Sequence, residues 1–104
     1  MNNESAKAKF QVGDVVHHRR YDYRGVVVDY DRVCCADDSW YQKNVTQPSR
    51  KQPWYHVLVH GGAMTYVAQE NLELDTSKQA INHPLIKQHF TSFHEGRYYP
   101  MSVN

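Results

Sequence analysis

Residues 17–24 read His-His-Arg-Arg-Tyr-Asp-Tyr-Arg, three guanidinium groups interleaved with two phenols. Arg19, Arg20 and Arg24 suit phosphate geometry, because a planar fork of donors matches phosphate oxygens better than an ammonium does. Tyr21 and Tyr23 between them offer rings that pack on a sugar or a base. The plainer reading of the same stretch is a solvated hairpin whose arginine stems cover its tyrosine rings. Trp40-Tyr41 and the pair Phe90 and Phe93 form a second set, large apolar rings suited either to anchoring the chain or to lining a partner-binding surface.

Other chemistries find less support. His56 and His60 are four apart, and on a strand that separates them by about 13 Å, too far to share a metal ion. His17 and His18 point to opposite sides of an extended chain. Cys34 and Cys35 are adjacent and lack the two-residue gap of a zinc knuckle. There is no nucleophile elbow and no glycine loop able to cradle a phosphate. The chain therefore reads as a non-catalytic binding module with no metal site and no cofactor.

These residues need a scaffold, and the clearest element is Pro53-Trp54-Tyr55-His56-Val57-Leu58-Val59-His60. Tyr55, Val57 and Val59 alternate onto one side, the expected core. Trp54, His56, Leu58 and His60 fall on the other, a mixed surface that suits half-cover or a ligand. Pro53 fits the start of a strand. Gly61-Gly62 turns the chain, and Met64–Ala68 returns as the partner strand of a hairpin. Upstream, Val15–His18 and Gly25–Asp31 read as strands, with Val26, Val28 and Tyr30 expected on the core side. Downstream, Gln69–Leu74 reads as one turn and a closing strand. Residues 32–52 form a long inserted loop, part of which Trp40-Tyr41 folds back onto the body. Asn82 or His83 caps a predicted short C-terminal helix, with Pro84 at its first position and Gly96 at its end. Leu85, Ile86, His89, Phe90 and Phe93 would form its apolar stripe.

With 104 residues there is material for one modest core. The formal net charge of +1, counting seven histidines as neutral, does not by itself announce a nucleic-acid partner. Two neighbouring cysteines with no third to pair with point to free thiols and a reducing compartment. No apolar run approaches the ~20 residues of a membrane span, and residues 1–9 carry no signal-like segment, so a cytoplasmic location is expected. The predicted fold is mainly β: a small SH3-like barrel of about five strands, with a five-stranded OB-like barrel as the alternative. Its bounds are residues 9–75, between a disordered lead-in over 1–8 and a C-terminal extension over 76–104.

Four blocks in order, Lys9–His18, Tyr23–Asp31, Pro53–Val59 and Thr65–Leu72, resemble the hemimethylated DNA-binding domain family, also called YccV-like, which includes the heat-shock protein HspQ. The tail from Ile81-Asn82-His83-Pro84 to Tyr99-Pro100 is similar to the form found at the end of an F-box-only protein. The resemblance implies an SH3-like barrel without catalytic residues. It also implies two activities, binding hemimethylated DNA and, in a stress response, assisting an ATP-dependent protease against selected substrates. The first needs a positive face, which Arg19, Arg20, Arg24 and Arg32 set against Glu70, Glu73 and Asp75 would supply, with Tyr21 or Tyr23 meeting the methyl group. The second needs exposed rings, which Trp40, Tyr41, Phe90 and Phe93 would supply. An oligomer is compatible with either.

Overall fold

A computed structural model describes residues 7–100. The predicted lead-in falls on residues that, up to 6, lie outside the described ones, as do 101–104 at the end of the tail. Five strands make one antiparallel sheet: β1 (Val15–His18), β2 (Arg24–Asp31), β3 (Trp54–Val59), β4 (Met64–Ala68) and β5 (Leu72–Leu74). Their order is β4-β3-β2-β1-β5, and a 3-10 turn, Gln69–Asn71, links the two outermost strands. The turn at Gly61 and Gly62 has φ of 109° and 119°, a conformation open to glycine, and it sets the β3–β4 register from Leu58↔Met64 to Trp54↔Ala68.

The sheet does not close into a barrel. The three-residue β5 pairs with β1 alone, from Val16↔Leu74 to His18↔Leu72, and β4 and β5 remain edges. Both faces are instead packed. On the first lie Phe10, Val16, Val27, Tyr55, Val57, Val59, Val67 and Leu72, all buried. The Tyr55 hydroxyl reaches Gln69 Oε1 and accepts from the Lys9 amide at 3.1 Å, so its polar tip is satisfied inside.

The second face carries Val15, Val26 and Leu58, under Ile81, Phe90 and Tyr98 from the far end of the chain. This corrects the single core expected around Val26, Val28, Tyr55, Val57 and Val59. Val26 pairs with Leu58, and opposite residues of an antiparallel pair share a face, so Val26 belongs to the second core. A β-bulge between Val27 and Asp29 then shifts the alternation. Beyond it Tyr30 faces with Tyr55, their rings 5.5 Å apart, and Asp29 and Asp31 fall on the side of His56 and Trp54.

The C-terminal segment departs from the predicted helix. Among its described residues a single turn, α2 (Ile86–His89), is all that is helical; Phe90–His94 is strand β6, paired with β7 (Arg97–Pro100). Thr91 and the aromatics favour extended backbone, and Glu95 and Gly96, at φ 54° and 79°, supply the paired left-handed residues of a tight hairpin turn. Phe93 lies 4.5 Å from Tyr98 and Phe90 5.3 Å. Phe90 is buried and Phe93 half-buried, so the pair builds core and forms no exposed helical stripe. The hairpin is fastened to the sheet by an Asp14↔Arg97 bridge and by the Arg97–Asp14 ion pair. Gly13, at φ 100°, passes so close to the Tyr98 carbonyl that a Cβ there would overlap it.

Candidate functional site

The β1–β2 connection carries the predicted basic and aromatic residues. Buried His18 organises it: its Nδ1 accepts from the amides of Arg20 and Tyr21 at 3.1 and 2.9 Å, while its own amide donates to the Tyr23 carbonyl. Desolvation, helped by the nearby charges of His17 and Arg20, pushes the His18 pKa down and favours this neutral, accepting form. The Tyr21 ring lies 4.7 Å over the His18 ring and is exposed to solvent. Arg20 reaches over Tyr21, with 5.8 Å between its guanidinium carbon and the ring centroid. Arg19, Arg20 and Tyr21 are thus presented together at the tip.

Tyr23 and Arg24 are not. Tyr23 is half-buried against the first core, bonded to Thr65 Oγ1 at 3.1 Å, and burial raises its pKa. Arg24 donates to Asp75 at 3.1 Å and to the Gln79 carbonyl. Its role is to tie β2 to the segment leaving β5.

Of the acids expected opposite these arginines, Glu73 and Asp75 stand beside them, and Glu70 accepts from Gln52 instead. Because β5 pairs with β1 at His17↔Glu73, Glu73 comes within 2.8 Å of His17 Nδ1 and 3.8 Å of Arg19. Asp22, at φ 58°, turns its carboxylate to His17 Nε2 at 2.6 Å. The ring N–H groups of His17 donate to Asp22 and to Glu73, and these bonds, Asp22's first, raise the His17 pKa. Among the described residues of this face, Arg20 keeps its guanidinium for a phosphate, whereas Arg19 donates through Nε to the Leu72 carbonyl at 3.3 Å and turns only its terminal nitrogens outward past Glu73.

The second set converges elsewhere. The short helix α1 (Asp38–Gln42) rises from the inserted loop, capped by Asp37, whose carboxylate accepts from the Trp40 amide at 2.8 Å. That bond holds the Asp37 carboxyl below its ordinary pKa. α1 lays Trp40 and Tyr41 against Trp54, with ring centroids 6.1 and 6.3 Å away, and Trp54 itself is buried. The Tyr41 hydroxyl donates to the Pro48 carbonyl at 2.8 Å and Arg50 lies over its ring, so Tyr41 is an anchor. Trp40 stays 37% exposed, enough to leave part of its ring for a ligand.

Trp40 and Tyr66, 5.7 Å apart at 63°, flank a hollow of about 250 Å³ that reaches Asp31, Cys35 and His56. A neighbouring hollow of about 310 Å³ continues over Val57, Met64 and Thr65. Tyr66 donates to Asp31 Oδ2 at 2.7 Å and accepts from the Cys35 amide at 3.0 Å; burial, then the bond to Asp31, drive its phenol pKa far up. Local desolvation and the Asp31 charge likewise keep the Cys35 thiol protonated. Sequence reasoning singled out Trp40 but missed Tyr66 and Asp31. The mixed side of β3, with Trp54 and His56, was the available signal, and Tyr66 pairs directly with His56.

Comparison with known proteins agrees with this geometry of a small binding domain. A family model described as hemimethylated DNA-binding protein YccV like matches residues 8–97. F-box only protein 21 of mouse is 36% identical over 95 residues, and those of human and Sumatran orangutan (Pongo abelii) are 35% identical over the same length. Each match covers 88% of this chain but 15% of the relative, so the chain spans about a seventh of the curated proteins it matches. The family is one of binding proteins, without a catalytic role. The chain belongs to the YccV-like hemimethylated DNA-binding protein family.

Proposed function

We propose that this protein is a non-catalytic module that binds duplex DNA, with hemimethylated sites as its target, in a reducing cytoplasmic setting. The observation that carries the reading, beyond family membership, is the exposed Tyr21 ring fixed on His18 with the Arg20 guanidinium over it, next to Arg19 in the chain. Arg19 and Arg20 contact backbone phosphates, and Tyr21 meets the groove or the methyl group. Arg24 and Tyr23 hold the loop in shape. The 3.8 Å contact of Arg19 with Glu73 is solvent-exposed and worth little, so a phosphate can replace it. The strand order and the 3-10 turn between the edge strands support an SH3-like reading of the sheet. The test is a salt series on hemimethylated, unmethylated and fully methylated duplexes. Changing Arg19 and Arg20 together to alanine lowers the slope of log affinity against log salt by about 0.9 per lost contact, on every duplex alike. Tyr21→Ala alters discrimination among the three. An unchanged slope in the double variant removes this site from the DNA interface.

A second reading, an adaptor for an ATP-dependent protease, is favoured by one observation: the aromatic hollow at Trp40, away from the arginine tip. Under that reading Trp40→Ala abolishes stimulation of substrate degradation in a reconstituted protease assay. Stimulation equal to the parent's excludes the hollow from that role.

A further inference from the structure

We propose that the hollow between Trp40 and Tyr66 binds a cationic side chain of a partner protein: lysine, an N-methylated lysine or arginine. The inference rests on the second reading above, that this surface takes a protein, and it names the chemistry recognised.

Trp40 meets Tyr66 edge-on at 5.7 Å and Trp54 at 6.1 Å, while Tyr66 packs against Trp54 at 5.3 Å and His56 at 4.5 Å. The exposed part of the Trp40 ring on the wall of the hollow is an electron-rich surface that attracts an alkylammonium or guanidinium group. The hollow ends on a carboxylate. Asp31 Oδ2 is held by Tyr66 and lies 3.4 Å from His56 Nε2, and the Cys35 thiol stands beside the same carboxylate. Tyr66 remains a phenol, so it supplies a ring and a donor without competing charge.

The surroundings agree. The bulge places Asp29 on the same side of the sheet as Asp31, and Asp37 caps the helix that carries Trp40. Arg50 donates to the Ala36 carbonyl at the wall of the hollow, lies over the Tyr41 ring and comes within 3.4 Å of Asp38; Lys43 lies beyond Trp40, in an adjoining hollow. A phosphate would meet Asp31 at the end of this space, and a cation would be drawn to it. Exposed Met64 and the adjoining floor over Val57 and Thr65 fit the aliphatic stem and a neighbouring residue of the partner chain.

The full chain is titrated, by tryptophan fluorescence and by chemical-shift perturbation, with capped trimethyllysine, lysine and arginine. The same titration uses the uncharged carbon isostere of trimethyllysine, and N6-methyladenosine. At least one cation binds with the isostere about tenfold weaker or worse, because only charge separates the two probes. Trp40→Ala weakens that cation about tenfold, and Asp31→Asn weakens it severalfold while leaving the isostere unchanged. Thermal melts of each variant confirm folding, and the partly exposed Trp40 makes its loss tolerable. Equal binding of the isostere overturns the cationic assignment while leaving an apolar protein-binding surface in place. Preference for N6-methyladenosine overturns it in favour of a base pocket. Binding of none of the probes at millimolar concentration overturns it outright.

Discussion

The two faces of the sheet are built from different stretches of chain. The first buries Val16, Val27, Tyr55, Val57 and Leu72, side chains of the sheet's own strands, with Phe10 from the segment leading into it. The second is roofed at one end by Ile81, Phe90 and Tyr98 and at the other by Trp40 and Tyr41 from the inserted loop. One face is self-covering; the other borrows its cover. Its two roofs leave the rings and carboxylate of the Trp40 hollow between loop and sheet, which is how a stability element and a recognition surface come to share a face.

Removing residues 81–104 is the harshest way to break that comparison. It uncovers Val15, Val26 and Leu58, all buried in the intact protein, and cooperative thermal unfolding is expected to vanish. A truncated chain that melts as the parent does would make residues 9–75 sufficient alone. Single substitutions sharpen the contrast. Tyr98→Ala, at the centre of the borrowed roof, is expected to cost about 3–5 kcal/mol, and Val57→Ala in the self-covered core about 1–3 kcal/mol. Urea titration reads both, and the reverse order would contradict the dependence of the second face on the hairpin.

Two smaller effects come from the ion pairs beside β5. Burial works to raise the Asp75 carboxyl, but the bonds from Arg24 and Ser77 outweigh it and hold the pKa below the ordinary value. A carboxyl with a lowered folded pKa contributes stability above its unfolded pKa, near 3.9, and loses it as pH falls through the folded value. Asp75→Asn is expected to remove about 1 kcal/mol at neutral pH and to flatten the acid side of the stability profile. His17 has the opposite sign. Its raised pKa gives a contribution present in full below about pH 6.5 and lost as pH climbs through the folded value. Melts between pH 6 and 8 should show a loss below about 1 kcal/mol that His17→Gln abolishes.

The sequence made the self-covered face legible because its signal is local. Alternation from Tyr55 to Val59, the Gly61-Gly62 turn and the return at Met64 lie within sixteen residues and need no distant partner. The second face was harder for physical reasons. Phe90 and Phe93 are three apart, a spacing a helix uses, and only pairing with Tyr98 across a left-handed turn makes them strand. Val26 fell on the wrong side because both faces of β2 are apolar, and the bulge at Val28 has no glycine to mark it. The same division holds for the candidate sites. Arg19, Arg20 and Tyr21 could be found together because they are consecutive. Asp31, Trp40 and Tyr66 meet only through strand register and a capped helix turn, and Glu73 reaches Arg19 only because β5 lies beside β1.

The fastening of Asp14 to Arg97 joins residues 83 apart. On a chain emerging from the ribosome, all five sheet strands are out before residue 81 appears, while the Val26–Leu58 face waits without its roof. The β6–β7 hairpin can form quickly by itself, but docking it closes a loop of nearly the whole domain, a slow step for a molecule this small. For that interval an apolar sheet face stands open to the solvent, so the time of greatest exposure to chaperones and to aggregation is set by the last fifth of the domain to be synthesised.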